Sequence, residues 1–255
     1  MDIKLNNKNL FEYCLRLGDS SLILGHQLSE WCGHGPILEE DIALINIALD
    51  FIGQARVLLD YAGKVEGKER TEDDLAYLRM ERDYRNLLLV EQPNGDYAFT
   101  IARQFLYDVY SFYFYAALKE SKDATFAGIA EKSLKEISYH LRHSSQWVIR
   151  LGDGTAESKE KIQTSFNELW MFTEDLFTMD EVDHTLLKEG IAVDLSLIKS
   201  KWQSKVKEVL TQATLTIPAD SFMQTGSRDG KHTEYLGFLL AEMQSLPRAF
   251  PGVKW

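Results

Sequence analysis

Cysteine is scarce in this sequence and basic residues are fewer than acidic ones, and each of these facts excludes a class of protein. Only Cys14 and Cys32 occur among 255 residues. Two cysteines so far apart are too few for a disulfide scaffold or a thiolate metal site, so both are expected to act as small apolar residues in a reducing compartment. Acidic residues outnumber basic ones by 39 to 28, which gives a formal net charge of −11. An acidic surface disfavours nucleic acid or an anionic membrane as the main partner.

Long apolar runs are missing as well. No stretch of about 18 apolar residues occurs, so no membrane span is predicted. The N-terminal segment MDIKLNNKNLFEY has no apolar core behind a basic start, so no secretory signal is predicted. We therefore expect a cytoplasmic protein.

What the sequence does contain is helical periodicity. Apolar and small residues recur alternately four and three positions apart from Leu10 to Trp31 and again from Ala130 to Leu151, as in the buried seam of a helix. The predicted helices are 10–31, 39–62, 71–84, 96–119, 124–151, 158–177, 180–189, 194–212 and 233–246. Four of them are long, which indicates an all-α fold with an antiparallel four-helix bundle and additional C-terminal helices. A single domain over residues 1–255 is expected.

Apolar residues mark one side of the second helix and nearly every side of the 96–119 helix. The second places Ile42, Ile45, Leu49 and Ile52 on one side. The 96–119 helix is rich in aromatic residues, namely Phe99, Phe105, Tyr107, Tyr110, Phe112, Tyr113, Phe114 and Tyr115. A helix that is apolar on nearly every side is covered on several sides. The 96–119 helix is therefore either central in the domain or part of an aromatic-rich interface, above roughly 2,000 Å² and resistant to salt.

A helical bundle can hold two iron ions when it supplies one Glu from each of two helices and a Glu-x-x-His pair from each of the others. Only Glu181 and His184 have that spacing, and they fall in a short helix, so a chance match is favoured over a metal site. No catalytic, cofactor-binding or metal-binding residue is assigned.

Several polar residues nevertheless fall on predicted inner faces. They are Asp108 on the 96–119 helix, Asn46, Asp50 and Gln54 on the second helix, and Glu136 with His140 on the 124–151 helix. One interpretation is a remnant metal pocket. The favoured interpretation is a buried hydrogen-bond network, because buried polar groups must be paired.

The remaining histidines and one loop give further candidates. His140 and His143 could act as acid–base groups, but the favoured view is that one makes a core contact and the other faces solvent. His26 is expected at the surface. The 226–232 loop contains Arg228 and Lys231 among glycines and could contact a phosphate, although a plain surface loop is favoured.

Four stretches resemble a known family: 14–56, 86–108, 135–155 and 232–244. They contain the motifs EWCGH at 30–34, LLVEQPNG at 88–95 and HTEYLG at 232–237 in that order. Over nearly its whole length the sequence resembles the C subunits of the bacterial phenylacetyl-CoA epoxidases.

The resemblance implies a ferritin-like fold and a structural role. In that family, a catalytic A subunit holds the di-iron centre, binds phenylacetyl-CoA and inserts one oxygen atom into its ring. The C subunit shares the fold, has no functional metal centre and binds A tightly, and a flavin and iron–sulfur reductase supplies electrons. The expected cofactors are thus none in this chain and di-iron in its partner. The alternative is a di-iron oxidase or oxygenase with its own metal site.

Overall fold

The computed structural model describes residues 3–219 and 222–253, with side chains from residue 7 onward. Its helices are α1 (Ile3–Ser29), α2 (Leu38–Glu66), α3 (Glu72–Tyr77), α4 (Tyr97–Leu118), α5 (Ala124–Gly152), α6 (Ala156–Leu169), α7 (Glu181–Glu189), α8 (Leu195–Gln212), α9 (Glu234–Met243) and α10 (Ser245–Ala249). Short 3₁₀ turns lie at 81–83, 170–172, 174–177 and 227–229. No strand occurs within these ranges, so the all-α prediction is confirmed.

Three predicted helices are shorter in the structure. The 71–84 helix begins as expected, with Thr71 and Asp74 forming a capping box, but it ends at Tyr77. The 158–177 helix stops at Leu169 and continues as 3₁₀ turns, and the 233–246 helix is divided between α9 and α10. In the first case a tertiary contact competes with the helix, because the Tyr84 hydroxyl donates a hydrogen bond to the carbonyl of Ala76.

The chain divides into two compact units, 1–92 with 226–255 and 93–225. The single-domain organisation stays a prediction. In the first unit, α1 and α2 pack as an antiparallel pair. Gly18 and Gly25 make the close approach possible, because a Cβ atom there would lie 2.9 Å from Leu59 Cδ2 and from Ile52 Cδ1 respectively.

The second unit is built around α4, which packs against α5, α6 and α8. Five of its nine aromatic residues are buried and the other four, Tyr97, Phe99, Phe112 and Tyr113, are half-buried. Because none is exposed, the surplus of aromatic side chains no longer supports an interface on this helix. Its apolar surface is covered within the chain, which agrees with the alternative of a central helix.

The apolar side predicted on α2, unlike the aromatic residues of α4, is partly exposed to solvent. Ile42 and Leu49 are exposed, and Ile45 and Ile52 are half-buried, whereas the core side is formed by residues such as Leu44, Phe51 and Leu58. In length and composition α2 could cross a membrane, but half of the relevant stretch is buried in the fold, and the core helix of a soluble protein passes the same test. This helix is therefore apolar on two sides and covered on one.

Candidate functional site

Asp108 is the centre of a buried polar cluster in the second unit. Its side chain is fully buried on α4. One carboxyl oxygen accepts a hydrogen bond from Gln104 Nε2 at 2.6 Å, and the other accepts one from Ser144 Oγ on α5 at 2.7 Å. The predicted network between these two helices is present.

Burial raises the pKa of Asp108 to about 7, against the opposing effects of His140, Ser144 and Gln104. Such a group is a poor metal ligand, because ligating carboxylates must be ionised and the surroundings of Asp108 favour its neutral form. Both of its oxygens also already accept hydrogen bonds, from an amide and a hydroxyl. The donor set around Asp108 does not fit the di-iron centre of the ferritin-like oxygenases.

The two histidines of α5 are both buried, so the expectation that one faces solvent is wrong. His140 is completely buried, and His143 retains only 9 % exposure while stacking on Tyr139 with ring centroids 6.2 Å apart. The register explains the result: positions 140 and 143 flank the Ile137, Leu141 and Ser144 seam, and that side of α5 is covered. Glu136, predicted to share an inner face with His140, is half-buried.

The polar stripe predicted on α2 does not lie on one inner face. Gln54 is buried, Asp50 is half-buried and Asn46 is exposed. The spacing of four residues rotates successive side chains by about 40° around the helix, so the three positions pass from solvent to core. A remnant metal pocket on this stripe is not supported.

Glu181 and His184 are both exposed on α7. Glu181 lies 3.5 Å from the hydroxyl of Thr185, at the limit of a hydrogen bond. Across the described residues, no group of three or more His, Cys, Asp and Glu side chains is placed to hold a metal ion. The Glu-x-x-His spacing is therefore present without the further ligands that such a site requires.

A second buried polar network occupies the first unit. Arg79 forms a two-pronged ion pair with Asp19 of α1, and both side chains are almost completely buried. The Arg79 guanidinium also lies 4.2 Å from the centre of the Tyr84 ring. Gln244 donates to the Tyr84 hydroxyl at 2.8 Å and to the Arg79 carbonyl at 3.0 Å. The network joins α1, the irregular 78–92 segment and the end of α9.

Glu91 and His232 form the other half of this network. One Glu91 oxygen accepts from the backbone N–H of Thr233 at 2.5 Å, and the other accepts from Asn86 Nδ2 and His232 Nδ1, both at 2.8 Å. The second ring nitrogen of His232 lies 3.1 Å from the Tyr84 carbonyl oxygen. Because both ring nitrogens face acceptors, the doubly protonated imidazolium fits this position.

Electrostatics agree with that assignment. Burial opposes the charged form of His232, but the Glu91 carboxylate and the Tyr84 carbonyl outweigh it, so the pKa of His232 is raised. Burial also raises the pKa of Tyr84 to about 12, which keeps its hydroxyl protonated as a donor to Ala76. The raised pKa of His232 favours the imidazolium beside Glu91, and the raised pKa of Tyr84 favours the neutral phenol.

The 226–232 loop is therefore not a plain surface loop. Ser227 and the His232 side chain are buried, and Gly230 has a φ of +67° with its α-carbon against the Arg82 carbonyl. A phosphate site has no support, because the buried side of the loop is packed on the 82–91 segment. Sequence periodicity missed the Glu91–His232 pair, since 141 positions separate the two residues. The only signal in the sequence is that both lie in motifs of the resemblance.

Two surface expectations are also wrong. His26 is half-buried with its ring edge against Tyr77 at a centroid distance of 6.3 Å, and burial lowers its pKa. Cys32 is exposed after the end of α1, so only Cys14 acts as a buried apolar residue. Neither cysteine forms a disulfide.

Comparison with known proteins assigns the family. The family described as Phenylacetic acid catabolic protein matches residues 2–255. The chain belongs to this family. Within the phenylacetic acid catabolic proteins, it is 50 % identical over 246 residues to the C subunit of the 1,2-phenylacetyl-CoA epoxidase of Escherichia coli strain K12, a match that covers 96 % of this chain and 99 % of that protein. The predicted resemblance to the C subunits of these epoxidases is confirmed.

Proposed function

We propose that this chain is a non-catalytic structural subunit of a multicomponent di-iron monooxygenase that epoxidises the aromatic ring of phenylacetyl-CoA in phenylacetate breakdown. The observation that carries the proposal is the 50 % identity, over nearly the full length, to a protein named as the C subunit of 1,2-phenylacetyl-CoA epoxidase. The chain would act in the cytoplasm, bound to a catalytic A subunit that holds the di-iron centre, and in a complex supplied with electrons by a reductase.

The side chains of this chain support a scaffolding role. Asp108 is held by two hydrogen bonds in a neutral-favouring pocket, and Glu181 and His184 point to solvent. What the chain offers a partner is a set of packed helices. Association with a folded scaffold stabilises the catalytic partner by mass action, and the scaffold can restrain the residues that orient the metal ligands.

The test measures iron and turnover in each purified component. We expect the chain alone to form no product from phenylacetyl-CoA with iron, O₂ and reductant, and to bind iron far below one equivalent. When it is co-expressed with a candidate catalytic partner, the two should co-purify and the iron should follow the partner. Near-stoichiometric iron or substrate-dependent product from the chain alone would establish the alternative, a di-iron oxidase with its own site.

A matched variant sharpens the comparison. His184→Ala should leave the iron content and turnover of the assembled complex unchanged, because His184 is exposed on α7 and belongs, within the part of the chain that the structure describes, to no group of three or more possible metal ligands. A loss of iron in this variant would mean that the Glu-x-x-His pair takes part in metal binding.

A further inference from the structure

A cleft in the first unit lies beside the C-terminal helices. It is lined by residues of α1, α3, α9 and α10 and has a volume of about 590 Å³. That volume falls within the range of about 300–1,000 Å³ that is typical of binding pockets. The walls are mainly apolar and include Tyr77, Leu78, Met243, Leu246 and Val253. The cleft therefore has the size and the lining of a binding site.

The apolar walls of this cleft are open to solvent. Leu78, Leu246 and Val253 are exposed by 50, 55 and 52 %. Phe238 lies one helical turn before the lining residue Glu242 on α9 and is 66 % exposed, so it lengthens the apolar surface. Binding pockets cover most of a small ligand, whereas a small molecule in so open a cleft would keep one side in water. Exposed apolar walls with a polar rim indicate a contact with another protein.

The charges at the cleft have one sign. Asp73 and Glu242 line it and are exposed, and within the described part of the chain neither carboxylate forms an ion pair. Asp74 is a third lining carboxylate, although it already accepts from the backbone N–H and the hydroxyl of Thr71. No lysine or arginine is among the described lining residues. Burial lowers the pKa of the lining residue His26, which favours its uncharged form. A positively charged occupant complements this arrangement.

We propose that this cleft binds a segment of a partner protein in which apolar side chains stand next to lysine or arginine. The apolar side chains of the segment pack on Leu78 and Leu246, and its basic groups pair with Asp73 and Glu242. The inference goes beyond the proposed function, because it names a contact surface and the chemistry of its ligand, and it holds whatever reaction the complex performs.

The charge of the whole chain supports a basic partner over a second copy. The net charge of −11 repels another copy and attracts a basic segment. Attraction between exposed charges is screened by salt, so binding at the cleft should weaken as the salt concentration rises. This dependence distinguishes the cleft from a contact that is held by apolar area alone.

Selection of peptides on the intact chain tests the chemistry of the occupant. Random peptides displayed on phage are selected on the wild-type chain and depleted on a Leu246→Asp variant, in which a charge replaces an exposed apolar wall residue. We expect the retained peptides to combine large apolar residues with at least one lysine or arginine. Failure to retain any peptide, or retained peptides without an excess of basic residues, would overturn the proposal.

Anisotropy of one retained peptide, labelled with a fluorophore, then locates the site. Asp73→Asn combined with Glu242→Gln should weaken binding at low salt by roughly tenfold or more, because the basic groups lose their partners. The matched control is Glu131→Gln combined with Glu160→Gln, which removes the same charge at exposed positions of α5 and α6. It should leave the affinity within about twofold, since distant surface charges are screened. Circular dichroism confirms that all variants are folded.

Two results of this titration would also overturn the proposal. One is an affinity that falls equally in the two charge variants, which would mean that the peptide follows the overall charge of the chain. The other is an affinity that does not change with salt. Iron content and turnover of the assembled complex decide the proposed function separately, so either proposal can fail while the other stands.

Discussion

At the scale of single residues, the folded chain holds a proton more tightly than the unfolded chain at two buried positions, Asp108 and His232. The pKa of Asp108 is raised from 3.8 to about 7 by burial, and the pKa of His232 is raised above 6.5 by Glu91. A raised folded pKa contributes stability that is fully present below the unfolded value and is lost as the pH rises through the folded value. Both positions therefore make the fold more stable at mildly acidic than at alkaline pH.

The Asp108 hydrogen bonds can be separated from its charge with two variants. At about pH 5, where the group is neutral in the folded state, Asp108→Leu should cost about 1–3 kcal/mol because Gln104 and Ser144 lose their acceptor. Asp108→Asn, of the same shape, should cost little. At about pH 8 the asparagine variant should be more stable than wild type, since a rise of three pKa units corresponds to about 4 kcal/mol at most. Urea unfolding at both values measures this, and equal stability of the leucine variant at acidic pH would contradict it.

His232 lies in the first unit, where it pairs with Glu91. As the pH rises from below 6.5 through the raised pKa of His232, the wild-type chain should lose stability, because the imidazolium deprotonates beside the buried Glu91. His232→Gln should be less stable at about pH 6, by roughly 3 kcal/mol or more, because it leaves a buried carboxylate without its counter-charge. Its stability should also vary less with pH. Limited proteolysis of the 226–253 segment over a pH series gives a local readout. A wild-type segment equally protected at every pH would show that the ion pair does not hold it.

At the scale of the secondary-structure elements, local patterns predicted what local interactions determine. The α4 and α5 boundaries agree within one residue because Asp96 and Asp123 cap them and the apolar period of α5 continues to the end of the helix. The end of α3 was wrong because the Tyr84 hydroxyl and the Arg79–Asp19 ion pair organise the following residues through distant partners. Periodicity finds an apolar side on α2 but does not tell the core side from the exposed side.

A pair of glycine variants tests how closely the 226–232 loop is packed on the 82–91 segment. Gly230→Ala should destabilise the chain by about 1–3 kcal/mol, because φ is +67° and the added methyl group would collide with the Arg82 carbonyl. Gly128→Ala, at an exposed position of α5 with nothing within 4 Å, should stabilise it by up to about 1 kcal/mol. Thermal unfolding compares the two, and a Gly230 variant as stable as the Gly128 variant would mean that the loop can move away from Arg82.

At the scale of the whole molecule, the distribution of apolar surface changes where a partner is expected. The aromatic residues of α4 are covered, so their number no longer indicates an interface, whereas Leu38, Ile42 and Leu49 of α2 are exposed. The fold class and the family could be predicted from the sequence. The polar networks could not, because they join residues as far apart as Glu91 and His232.

The proposed complex with a catalytic partner should depend little on salt concentration. We expect the complex with a catalytic partner to persist from low to high salt, because apolar contact area is not screened by ions whereas surface ion pairs are. Light scattering across a salt series measures it. Dissociation at moderate salt would show that charge holds the complex together, and the net charge of −11 would then point to a basic surface on the partner.

The discontinuous first unit has a consequence for how the protein is made. Glu91 is synthesised early, but His232 and Thr233, which satisfy its carboxylate, leave the ribosome only after residues 93–225 have been translated. At cellular elongation rates that interval is on the order of ten seconds. During it the Glu91 carboxylate lacks the hydrogen bonds that His232 and Thr233 donate in the complete fold. The 93–225 unit can therefore finish folding before the first unit is complete. A chain that terminates before His232 would leave residues 1–92 without their partners and open to proteases.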